Sequence, residues 1–124
     1  MSTNFENCIF IFADANGTFN TGIFGSKKYS GYVIFTIIDY KTDKYLGTAY
    51  FETEITNYND KSIIFSIYSN KEEILRTIFN TDDMEVDGYN RFINDIAVAT
   101  NKTTADVEKI IADAYEALRF EWHC

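Results

Sequence analysis

Lys27, Lys28, Tyr89, Arg91, Phe92, Lys109 and Arg119 have the side-chain types needed to hold an anionic, ring-bearing ligand. Lysine and arginine would take phosphates, and the aromatic rings would stack on a base. Lys27 and Lys28 lie in the stretch 25–31, bounded by Gly25 and Gly31, whose backbone could also cradle phosphate. The spacing is not that of a P-loop, and no strand–loop–helix unit surrounds it. The plainer reading is a solvated hairpin connection, with the arginines lying on the surface over their apolar stems. Catalytic chemistry has less to work with. The only histidine, His123, stands beside Cys124 with no rigid frame expected around it. Glu52 and Glu54 project from one face of a strand and read as its solvated side. No catalytic residue is assigned.

The acidic run Asp83, Glu85, Asp87 and Gly88 resembles the first half of an EF-hand calcium loop, with oxygen ligands at alternate positions and a glycine for the turn. The second half departs from it. Asn90 stands where an aliphatic residue belongs, and Asn94 where the bidentate glutamate should be. The loop is therefore expected to be a solvated connection. Asp83, Glu85 and Asp87 are its metal candidates, and no metal or cofactor is assigned. Further on, residues 95–100 and 103–111 resemble repressor-type helix-turn-helix units and the helical hairpin of HU-type proteins. A DNA-reading helix presents polar or basic groups. Here it would present Asp106, Glu108 and Asp113. Direct DNA binding is not expected, and the pair reads as a packing or dimerisation unit.

The chain has 124 residues, 46% of them hydrophobic and 17% aromatic, with a formal charge of −8. That is a single domain, 1–124, with enough apolar surface for a core; it excludes a disordered chain. The charge argues against gripping nucleic acid by its phosphates. It suits a cationic partner, or simply solubility. No signal-peptide pattern or membrane span is evident, so the expected compartment is the cytoplasm, with Cys8 and Cys124 as reduced thiols and Cys8 in the core.

Period and turn signals predict the elements. The apolar run 8–13 leads to Asn16-Gly17, a strong hairpin-turn signal, with a return strand over 18–24 at an edge. Residues 31–40 carry apolar side chains at both parities, predicting a central strand covered on both faces. Residues 45–55 alternate as a half-buried strand, and 62–68 form another. Asn70 with Glu73 reads as a capping box before a short helix holding Ile74, Leu75, Ile78 and Phe79. A second helix is marked by Tyr89, Phe92, Ile93, Ile96 and Ala97. A third starts at Thr103, with Val107, Ile110, Ile111, Ala114 and Leu118 as its stripe. The predicted class is α+β: an N-terminal antiparallel β meander of four to five strands followed by two to three C-terminal helices. The sheet half spans 1–69 and the helical half 70–124. The helices pack on the sheet or on a partner subunit.

In size, acidity and lack of a catalytic kit, the chain resembles small phage-encoded counter-defence proteins, such as anti-CRISPR proteins. Its strand-then-helix layout is similar to that of the Thoeris anti-defence 1 family, which sequesters a cyclic ADP-ribose-type signal. The resemblance implies a non-enzymatic, stoichiometric binding protein acting in the cytoplasm of a bacterial host. Its partner would be a host defence protein that it blocks, or a nucleotide-like signal that it sequesters. A signal would sit between Phe92 and Arg119 of neighbouring chains, in a homo-oligomer formed through the C-terminal helices. The alternatives are a toxin-immunity protein, a small carboxylate-dependent enzyme and a helix-turn-helix regulator.

Overall fold

The computed structural model describes residues 5–22, 25, 27–56, 59–80 and 86–122. The strands are β1 (Cys8–Thr21), β2 (Lys27–Asp39), β3 (Tyr45–Thr56), β4 (Asn59–Ser69) and β5 (Glu72–Asn80). Two helices follow, α1 (Val86–Thr100) and α2 (Thr104–Trp122). The strands form one antiparallel sheet in chain order, β1-β2-β3-β4-β5. The α+β class and the strand-then-helix layout are as expected from the sequence.

Three elements differ from the sequence reading. The stretch 25–31, expected to be a hairpin connection, is strand from Lys27 onward, the start of β2. Asn16-Gly17 is not a turn. Both residues lie inside β1, opposite Tyr32 and Gly31, and neither has the positive φ that a type I′ turn requires. The segment read as a first short helix is instead β5. Asn70 is not its N-cap; Asn70 and Lys71 have φ of 52° and 66°, the pair of left-handed residues that closes a two-residue hairpin. Isoleucine and threonine at 74, 77 and 78 also suit a pleated strand better than a helix. The strand region therefore extends to Asn80, past the expected boundary at 69.

One face of the sheet is buried. Val33, Phe35 and Ile37 of β2, Ala49 and Phe51 of β3, and Ile63, Phe65 and Ile67 of β4 point into the core. In register, Val33 lies opposite Phe51, and Phe51 opposite Phe65. Helix α1 lies on β5, and α2 on β1 and β2. Their inward residues, Phe92, Ile93 and Ile96 of α1 and Val107, Ile111 and Leu118 of α2, complete the core. Each such apolar side chain contributes about 1.5–3 kcal/mol on full burial.

The junction between the helices is well defined. Lys102 N–H donates to Ala97 O at 3.0 Å and Asn101 N–H to Val98 O at 3.4 Å, with Asn101 at φ 56°. That is a Schellman cap. Thr103 then caps α2, its Oγ1 accepting from Asp106 N–H at 3.1 Å, as its position in the sequence predicted. Two bonds fasten this junction to the start of β1: Cys8 Sγ–H to Thr100 O at 3.5 Å, and Lys102 Nζ to Cys8 O at 2.9 Å.

The other end of α2 is seated by paired glycines. Gly17 and Gly31 face each other across β1 and β2. A Cβ on Gly17 would lie 2.6 Å from Trp122 Nε1, and one on Gly31 would lie 2.7 Å from both Leu118 Cδ2 and the Asn16 carbonyl oxygen. The missing side chains make the hollow into which α2 settles, where Trp122 Nε1–H donates to Ser30 O at 3.0 Å. Because the Asn16 carbonyl cannot rotate away without breaking the sheet, Gly31→Ala should cost about 1–3 kcal/mol. Urea unfolding checks this; a change below about 0.5 kcal/mol would mean that the helix end is not held so closely.

Candidate functional site

Among the described residues, nothing forms a second layer on the face of the sheet away from the helices. Alternation places Tyr32 and Ile34 of β2, Tyr50, Glu52 and Glu54 of β3, Ile64, Ser66 and Tyr68 of β4, and Arg76 and Ile78 of β5 on this side. The expectation that residues 31–40 are covered on both faces is therefore corrected. Val33, Phe35 and Ile37 are buried, but Tyr32 is 36% exposed because none of the described elements packs over it. Ile78 is 52% exposed for the same reason.

A depression of about 340 Å³ lies across β3, β4 and β5, lined by Tyr50, Glu52, Ile64, Ser66, Tyr68 and Arg76. Tyr50, Ser66 and Arg76 form one cross-strand row. The Tyr50 and Tyr68 rings meet edge to face, with centroids 5.6 Å apart. At the floor, Ser66 is only 7% exposed, and its hydroxyl has no hydrogen-bond partner among the described residues. It is not sealed from solvent, since no buried side-chain polar atom is left unsatisfied. Arg76 is exposed and has no ion pair among the described residues. A second basin of about 450 Å³ adjoins it, sharing Glu52 and Ile64 and extending to Tyr32 and Glu54. There Glu54 is already neutralised by Lys28, 3.0 Å away.

This face offers tyrosine rings, a guanidinium and hydroxyls on a rigid sheet. Such groups bind by area, stacking and hydrogen bonds. Among the described residues no cluster of three or more His, Cys, Asp or Glu could hold a metal. No described helix is long and apolar enough to cross a membrane.

The residues singled out in the sequence do not converge. Lys27 and Lys28 lie at the start of β2, Tyr89, Arg91 and Phe92 on α1 over β5, and Lys109 and Arg119 on α2 over β1 and β2. Phe92 is 1% exposed and cannot stack on a ligand; its ring and that of Tyr89 pack on Phe79, at 6.5 and 5.6 Å. Burial, and then the Glu108 carboxylate, push the Tyr89 hydroxyl above its ordinary pKa. Arg91 lines a depression of only about 140 Å³. Lys109 pairs with Asp113 one turn along, at 3.7 Å, and Arg119 is exposed. The ligand seat expected between Phe92 and Arg119 of neighbouring chains is thus not available, because Phe92 belongs to the core. The stripe Val107, Ile111, Ala114 and Leu118, expected to serve packing or dimerisation, is buried in this chain's own core. Asp83, Glu85, His123 and Cys124 lie outside the described residues, and Asp87 is described only as backbone in the first turn of α1.

The signal that could have found the open face was present. Tyr50, Glu52 and Glu54 share a parity, and so do Ser66 and Tyr68. Arg76 was hidden by reading its segment as a helix.

Compared with known proteins, the chain matches no family model, no curated protein and no solved structure.

Two results should distinguish core from ligand site. Phe92→Ala should cost about 3–5 kcal/mol in urea unfolding, whereas Arg91→Ala and Arg119→Ala should stay within about 0.5 kcal/mol; equal effects would return Phe92 to the surface. Cys8 is buried, and desolvation raises its thiol pKa, only partly offset by Lys102. In a Cys124→Ser background the thiol should react with a disulfide reagent only as fast as the protein opens. The folded chain also keeps the Cys8 proton at a pH where the unfolded chain has lost it. Stability should therefore fall as pH rises above the ordinary thiol range, and Cys8→Ala should flatten that fall.

Proposed function

We propose that the protein is a non-enzymatic, stoichiometric binding protein of the counter-defence kind, which blocks a protein target with the open face of its sheet. The observation that carries this reading is the uncovered sheet face, where Tyr32, Tyr50, Tyr68 and Arg76 stand in and around two adjoining shallow basins. Tyrosine and arginine are the residue types that most often anchor protein interfaces. A small-molecule site buries about 70–90% of its ligand. The basins here are broad and open, which suits a flat macromolecular surface better than a sequestered nucleotide. The formal charge of −8 further favours a partner with a basic surface.

The test compares three forms of the protein as bait in lysate from the bacterial host. The wild type should retain one protein at a fixed stoichiometry. Tyr50→Ala combined with Tyr68→Ala should lose it, with affinity lowered by at least about tenfold, while Glu108→Gln on α2 should keep it. Equal retention by all three forms would remove the open face from the reading. Turnover of a substrate that depends on Glu52 or Glu54 would replace it with the carboxylate enzyme.

A further inference from the structure

A second surface lies on the opposite side of β1. Between β1 and α2 runs a groove of about 500 Å³. Its floor is Phe10, Ala15 and Phe35, and its walls are Phe12 and Phe120. These two walls are 55% and 78% exposed, large apolar groups left in water on either side of an apolar trough. The rim is carboxylate. Asp113, Glu116 and Glu121 line it, and no lysine or arginine does. Asp113 already has Lys109, but Glu116 and Glu121 have no ion pair among the described residues.

We propose that this groove takes a basic, amphipathic segment of a partner protein, with one bulky apolar side chain between Phe12 and Phe120 and flanking Lys or Arg against Glu116 and Glu121. Charge complementarity selects this occupant. A second copy related by a two-fold axis would set the same carboxylates against each other, unpaired and desolvated. Anionic lipid headgroups and nucleic acid would be repelled for the same reason. Strand β1 adds a further foothold. Among the described residues it pairs only with β2, so its outer edge is open to another strand. Two of its backbone groups are already engaged: Ala15 N–H donates to Asp14 Oδ1 at 2.9 Å, and Cys8 O accepts from Lys102 Nζ. An extended segment can pair there while its alternate side chains reach the trough. The edge itself does little to refuse such a strand: Asp14 is the only charged residue in β1, whereas β5 at the opposite edge carries Glu72, Glu73 and Arg76.

This surface is separate from the open sheet face, so either assignment can fail alone. The probes are three synthetic peptides: alternating Leu and Lys, alternating Leu and Glu, and Lys with Ser in place of Leu. Titration calorimetry with the full chain should show one Leu/Lys peptide bound per protein, weakening as salt rises. Glu116→Lys with Glu121→Lys should weaken it at least about tenfold, and Phe120→Ala should do so several-fold. All three positions are exposed, and a thermal melt confirms that each variant folds. Glu108→Lys makes the same kind of charge change where α2 faces Tyr89 of α1, and it should stay within about twofold. The Leu/Glu and Lys/Ser peptides should bind at least about tenfold more weakly. The proposal is overturned if the Lys/Ser peptide binds as well, or if Glu108→Lys weakens binding as much as the groove variant, since either would mean diffuse attraction to an acidic protein. It is also overturned if sedimentation shows a dimer that Phe120→Ala dissolves, since the groove would then belong to a second copy.

Discussion

Two helices can cover only one face of a five-stranded sheet. Strands stand about 4.8 Å apart, so five span about 19 Å, and a helix with its side chains is about 10 Å wide. Helix α1 over β5 and α2 over β1 and β2 use up that width on one side. The rest follows from this constraint. The core has a single layer of strand side chains, centred on Val33, Phe51 and Phe65. The same alternation that buries these residues delivers Tyr32, Tyr50, Ser66 and Arg76 to the opposite face, where none of the described elements covers them. The open face is the remainder of the fold, and it keeps the rigidity of the sheet that bears it.

The sequence carried the class of the fold more clearly than its parts. Four to five strands were expected and five are present, but through two offsetting differences. Asn16-Gly17 has the composition of a hairpin turn, yet its glycine is there to admit Trp122, a contact made by a residue far along the chain. No local pattern can signal that. Ile74, Leu75, Ile78 and Phe79 satisfy a helical stripe, and over nine residues the two periods are not separable. Asn70 serves equally well as an N-cap or as a left-handed turn residue. The second and third predicted helices were legible because their stripes are long and Thr103 caps the last one. The site was half legible. Parity placed Glu52 and Glu54 outward, but whether an outward face meets water or a partner depends on how many layers the chain can build. Phe92 shows the reverse case: an aromatic beside an arginine suits a ligand, while its place in a three-and-four spacing suits the core, and the spacing prevailed.

The two candidate surfaces share β1 and differ in character. The open face is broad and mixed, with tyrosines, a guanidinium and a neutralised Lys28–Glu54 pair. The groove beside α2 is narrow, apolar at its base and acidic at its rim. Neither places a base beside a nucleophile or gathers metal ligands among the described residues.

The contacts that fasten α2 to the sheet also set a schedule for biosynthesis. Thr100 receives Cys8, and Trp122 reaches Ser30, each across 92 residues of chain. The hairpins of the meander can close as they emerge, but the helix-side face of β1 has no cover until α2 is made. At about 5–20 residues per second, Phe10, Phe12 and their neighbours wait on the order of five to twenty seconds for α2. During that interval the almost uncharged edge of β1 stands beside an apolar face that α2 has yet to cover. The nascent protein therefore faces its greatest risk of aggregation late in synthesis, after the sheet has formed and before the helices arrive.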